Sequence, residues 1–155
     1  MSTFKQLPQN NNIQELIQST FDVNLAIAGE WGYTQDKATI ITAIQKGMPI
    51  SQLQHMLTSI RAHLEMNITQ TKENRYAGIN ANEKLREENK TKYGTFNKVT
   101  YEITAINETL YTAFIKEYKE GYGKEDFNLT AHFKRRAEAT VTREVIHYFE
   151  VGQLA

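Results

Sequence analysis

The sequence predicts one mixed α+β domain, a mainly antiparallel sheet with two main helices packed on one face and a short N-terminal helix. Two observations carry this. Between residues 98 and 121 the hydrophobic repeat changes within one short span. Val99, Tyr101 and Ile103 alternate with Thr100, Glu102 and Thr104, the two-residue repeat of a half-buried strand. Leu110, Tyr111, Phe114, Ile115 and Tyr118 then follow the spacing of an amphipathic helix. The second observation is length: 155 residues with no internal repeat and no Pro-, Gly- or Ser-rich linker make a single unit, 1–155.

Taken in order, residues 1–11 form a polar arm, with Pro8 and Gln9 leading into a run of asparagines. Asn12 starts the first helix, and Glu15 stands where a capping box needs it. Phe21, Val23, Leu25 and Ile27 alternate and suit a strand. Gly29-Glu30-Trp31-Gly32-Tyr33 is a turn, and the β-branched residues of 37–44 favour a second strand.

Gly47 and Pro49 break the chain before the second helix, with Ser51 as cap and Gln54 completing a box. Leu53, Met56, Leu57, Ile60, Leu64 and Ile68 form its apolar stripe, which places Met66 on the opposite side. Residues 72–97 are polar and lack a stripe, so a helical turn is expected near 82–88. The strand at 99–106 and the helix at 108–120 follow, the helix capped by Asn107 and stopped by Gly121. Residues 127–139 read either way: Phe127, Leu129, Ala131 and Phe133 alternate as in a strand, while 134–139 are good helix formers. Residues 140–151 read as a final strand.

Composition excludes several functions. There is no cysteine, which removes disulfides, thiolate catalysis and thiolate-bound zinc. Lys plus Arg and Asp plus Glu are 18 each, so no global field steers the chain toward nucleic acid or an anionic membrane. No secretory leader and no membrane-length apolar run is visible, which gives a cytoplasmic expectation with no membrane partner. Gly121-Tyr122-Gly123 lacks the third glycine of a dinucleotide fingerprint, and no serine sits in a nucleophile elbow.

The residues that could carry chemistry are few. His55 and His63 stand eight residues apart on one helix, about 12 Å along its axis, too far to share an ion. Glu144 and His147 have the Glu-x-x-His spacing of di-iron helices but fall in an expected strand, where they face opposite sides. His132 and His147 would approach each other if 127–134 and 141–150 formed a hairpin, making an acid–base pair or an ion site. Lys134, Arg135 and Arg136 form a basic run that suits a phosphate or nucleic-acid ligand, against the bland reading of a solvated face. Trp31 and Tyr33 on their glycine-flanked turn suit a contact site or core packing.

No catalytic residue, metal site or cofactor is expected. The expected function is a non-catalytic binding or assembly protein, a homodimer that buries stray residues such as Met66, Trp31 and Tyr33 and gives the arm a surface. The alternatives are a phosphate or nucleic-acid binder using residues 134–136, and a small enzyme whose histidine and carboxylate groups converge only in space.

Overall fold

The computed structural model describes residues 4–44, 47–68 and 70–152; the first three residues of the expected arm lie outside them. Five strands form one sheet in the order β1-β2-β5-β4-β3. They are β1 (Ile27–Gly29), β2 (Thr39–Ile41), β3 (Tyr76–Thr91), β4 (Gly94–Asn107) and β5 (Thr140–Glu150). All neighbours are antiparallel except β2 and β5, which run parallel over a short stretch. The helices are α1 (Ile13–Phe21), α2 (Ile50–His63), α3 (Glu108–Gly121) and α4 (Leu129–Ala139). The fold is therefore the expected α+β domain, a mostly antiparallel sheet with helices packed against it.

The Asn12 cap is confirmed. Its side chain accepts from the Glu15 N–H at 3.1 Å, while its amide faces the Glu15 carboxylate at 3.4 Å. The chain leaves α1 through Asp22 in a left-handed conformation, φ 56°. The alternation at 21–27 is mostly not strand: Phe21 closes the helix and only Ile27–Gly29 pairs. The second helix begins earlier than expected. Pro49 fixes its entry and Ile50 is its first residue, so Ser51 lies inside the first turn and caps nothing.

The largest correction concerns residues 72–97. Instead of a loop with a helical turn at 82–88, they carry β3, sixteen residues long, hairpinned to β4. Of the β3 side chains only Ala81 is buried, so the strand has no apolar alternation to betray it. Its pairing is sustained by backbone bonds and by cross-strand charges such as Lys84 to Glu102 and Lys98 to Glu87. β4 lies between β3 and β5, and Val99, Tyr101, Ile103 and Ala105 fill the core as the alternation predicted.

Within residues 127–139, Leu129–Ala139 resolve as helix and not strand. Asn128 accepts from the Ala131 N–H at 3.0 Å and starts α4. Asn107 caps α3 as expected. Together α3 and α4 form a helical hairpin inserted between adjacent strands, leaving β4 at Asn107 and returning into β5 at Thr140.

Met66 is buried, not on an outer face, and so is Trp31. A wide π-helical turn over Leu64–Ile68 extends α2, and Leu64, Glu65 and Met66 in it are all buried. The arm packs on its own domain: the Leu7 N–H donates to the Tyr33 hydroxyl at 2.8 Å, and the Phe4 ring meets Tyr76 edge-on. These residues therefore need no second subunit to hide them.

Candidate functional site

Two features stand out: a buried polar seam beneath α2 and an uncovered apolar surface on the α3–α4 hairpin. The seam comes from four residues of α2 and its extension, Gln54, Thr58, Arg61 and Glu65, all buried. At 3.6 residues per turn these positions share a wedge of about 60°. Leu53, Leu57, Ile60 and Leu64 flank it on one side, and Ala62 and Met66 on the other. The polar stripe is thus the middle of the buried face.

Each member of the seam finds a partner on the sheet or its loops. Gln54 donates to the Asn97 side-chain oxygen at 2.9 Å and accepts from Arg86 at 2.6 Å. Thr58 lies 2.9 Å from His147 Nδ1. Arg61 donates to the carbonyls of Trp31 (3.1 Å) and Ile146 (2.9 Å) and lies 4.5 Å over the Tyr33 ring. Glu65 accepts from the Tyr33 hydroxyl at 2.5 Å and from Arg143 at 2.9 Å. Burial, and then the Glu65 charge, raise the Tyr33 phenol far above its ordinary value, so it remains a donor. Burial lowers the Arg61 guanidinium from its usual range, with the Glu65 charge opposing.

The tautomer of His147 follows from its neighbours. The Thr39 hydroxyl donates to the Glu30 carbonyl at 2.6 Å, so its oxygen accepts from His147 Nε2–H at 2.9 Å. Nδ1 then accepts from the Thr58 hydroxyl. The ring stacks on Phe149 with centroids 4.0 Å apart. Burial, with the Arg61 charge adding, holds this imidazole well below its usual range. It is a neutral, fully satisfied core histidine, unsuited to proton transfer at neutral pH.

The Trp31–Tyr33 turn is built onto the same seam. Gly32 has φ 81°, and a β-carbon there would lie 2.2 Å from His147 Cδ2. Trp31 is core, while Tyr33 joins the arm to Glu65.

His132 lies elsewhere. The expected hairpin with His147 does not form, because His132 belongs to α4, and the two rings share no partner among the described residues. Nδ1 of His132 is 3.1 Å from Glu117 in α3, which also pairs with Arg135. Nε2 has no hydrogen-bond partner among the described residues and sits amid Phe114, Tyr118, Phe127 and Phe133. Glu144 is exposed while His147 is buried, so the Glu-x-x-His pair faces opposite sides as a strand requires.

The basic run is exposed or half-buried on α4. Arg135 is tied to Glu117, and the Arg136 guanidinium lies 5.6 Å from the Phe133 ring centre. Among the described residues no three His, Asp or Glu side chains gather as metal ligands would. His63 and Glu108 line one cleft of about 510 Å³ without a hydrogen bond joining them among the described residues. Burial lowers the His63 imidazole.

The hairpin surface is the second feature. α3 buries none of its fourteen residues fully, and α4 only His132. Leu129 and Phe133, four apart on one face of α4, are 41% and 46% exposed; Leu110 and Tyr122, at the two ends of α3, are 47% and 67%. Tyr122, Tyr118 and Phe133 form a continuous ring chain, with centroids 5.3 and 6.1 Å apart. Sequence reasoning missed the seam and this surface. The polar set at i, i+4, i+7 and i+11 could have signalled the first; Leu129 and Phe133 at i, i+4 could have signalled the second. No helix is long and apolar enough to cross a membrane among the described residues. No family model, curated protein or solved structure matches this chain.

Proposed function

We propose that the protein is a non-catalytic binding and assembly module that works as a homodimer, joined through the α3–α4 hairpin. The observation that carries this is the poor burial of the hairpin, which leaves Leu129, Phe133 and Tyr122 at the surface together. Two helices with only one fully buried residue between them gain stability by covering that face with another apolar surface. Charge supports a second copy as the occupant. Residues 108–139 carry six Lys or Arg and six Asp or Glu. A two-fold contact must be self-complementary. Lys134 on α4 and Glu125 and Asp126 just before it give this face charges of both signs, as a self-complementary contact needs. Reading the basic run as a nucleic-acid surface has less support, because Arg135 and Arg136 are already engaged within the hairpin.

Light scattering at micromolar concentration tests this. The expected mass is near twice the 17.9 kDa of one chain. Phe133→Glu should return it to the single-chain value with the circular dichroism spectrum unchanged. A wild-type mass near one chain overturns the homodimer.

A further inference from the structure

At the Arg143 end the polar seam opens into a cavity of about 280 Å³. It is lined by Phe4 and Gln6 of the arm, by Tyr33, Arg61 and Glu65, and by residues 143–146 of β5. Two guanidiniums and one carboxylate converge there, since the Glu144 side chain leaves the strand on the face opposite Arg143. The excess is one positive charge. Arg143 spends Nη1 on Glu65, and its guanidinium lies 4.7 Å over the Phe4 ring. Its Nε and Nη2 edge has no acceptor among the described residues.

The backbone adds donors. The Val151 N–H donates to Thr95 in β4, whereas the Tyr148 N–H donates to Gly32 on the other side. The register between β4 and β5 is unbroken, so odd-numbered amides of β5 face β4 and even-numbered ones face away. β2 pairs only with Phe149 and Glu150. The N–H groups of Glu144 and Ile146 therefore turn to the side where β2 has ended, and where Arg61 already reaches the Ile146 carbonyl.

We propose that this cavity binds a small organic carboxylate. The Nε and Nη2 edge of Arg143 takes the carboxylate through two parallel hydrogen bonds. The Glu144 and Ile146 amides supply further donors, and the Phe4 ring covers the apolar part of the ligand. One excess charge suits a carboxylate better than a doubly charged phosphate, and the volume limits the ligand to small molecules.

The test titrates the ¹⁵N-labelled full chain with sodium benzoate, with the neutral isostere benzamide and with inorganic phosphate, following the Glu144 and Ile146 amide resonances. Benzoate should shift both and saturate in the millimolar range or below, and benzamide should bind about tenfold more weakly or worse. Arg143→Gln should remove the benzoate response, and Phe4→Ala should weaken it. If Arg143→Gln fails to fold, Phe4→Ala and the benzamide comparison carry the test. Unsaturable shifts, an equal response to benzamide, or phosphate binding as tight as benzoate overturns the assignment.

Discussion

Thr58 on α2 holds Nδ1 of His147 on β5 at 2.9 Å, across 89 residues of sequence. With Thr39 on the other ring nitrogen, the imidazole has both hydrogen bonds it needs while neutral. Protonation would force Nδ1 to donate to Thr58 and set a positive charge near Arg61.

A pH dependence follows from that placement. The folded-state pKa of His147 is depressed, so below the ordinary value of 6.5 the unfolded chain takes a proton that the folded chain refuses. Stability is full above that value and falls as the pH drops, by up to about 1.4 kcal/mol per pH unit for each such histidine. His63, lowered more mildly by burial, adds in the same direction. Urea unfolding at pH 7 and pH 5.5 should show the loss. The His147 ring resonances should stay flat over that interval, and a midpoint near 6.5 would refute the account.

The Glu65–Arg143 pair makes a second prediction. Glu65 is 2% exposed, so its carboxylate depends on the groups that face it. Arg143→Met removes the salt bridge that Arg143 gives that charge. The expected cost is about 3 kcal/mol, as for other broken buried pairs. Combining Arg143→Met with Glu65→Gln should recover part of the loss, since the buried carboxylate is then neutral while Arg61 keeps its two carbonyl acceptors. Equal stabilities for the single and double variants would contradict this.

Much of the fold was legible before the structure, and the failures have physical causes. The strand around Tyr101 and Ile103 was readable because one of its faces is core. β3 was not, because pairing alone makes it a strand and its Glu and Lys side chains reach solvent. Residues 127–133 misled because Leu129 and Phe133 satisfy both a two-residue and a four-residue spacing. The seam was hidden by the habit of centring a helix on its apolar stripe. On α2 the centre is polar, at Gln54, Thr58, Arg61 and Glu65, and that displacement also explains why Met66 is inside. The histidine pair was a sound expectation only for a hairpin that does not exist.

Hydrogen exchange should separate the two strands of the long hairpin. β4 is paired on both sides, by β3 and β5. The amides of Tyr101 and Ile103 should be among the slowest in the chain. β3 lies at the sheet edge, with residues 82–91 mostly exposed, and their amides should exchange faster by about two orders of magnitude or more. Comparable rates in the two strands would place the stable core elsewhere.

The Gly32 contact gives the sharpest substitution test. Gly32 and Gly123 have nearly the same left-handed backbone, φ 81° and 82°. A β-carbon at Gly123 meets nothing within 4 Å, so Gly123→Ala reports only the backbone strain, about 1 kcal/mol. At Gly32 the same carbon would stand 2.2 Å from His147 Cδ2 and 2.7 Å from the Tyr148 carbonyl oxygen. The His147 ring cannot retreat, since Thr39, Thr58 and Phe149 hold it on three sides. The turn must lift instead, breaking the 2.8 Å bond from the Tyr148 N–H to Gly32. Gly32→Ala should therefore destabilise by about 2 kcal/mol more than Gly123→Ala in paired urea titrations. Equal losses would mean that the turn does not press on His147, and the seam would lose the wall that closes it on that side.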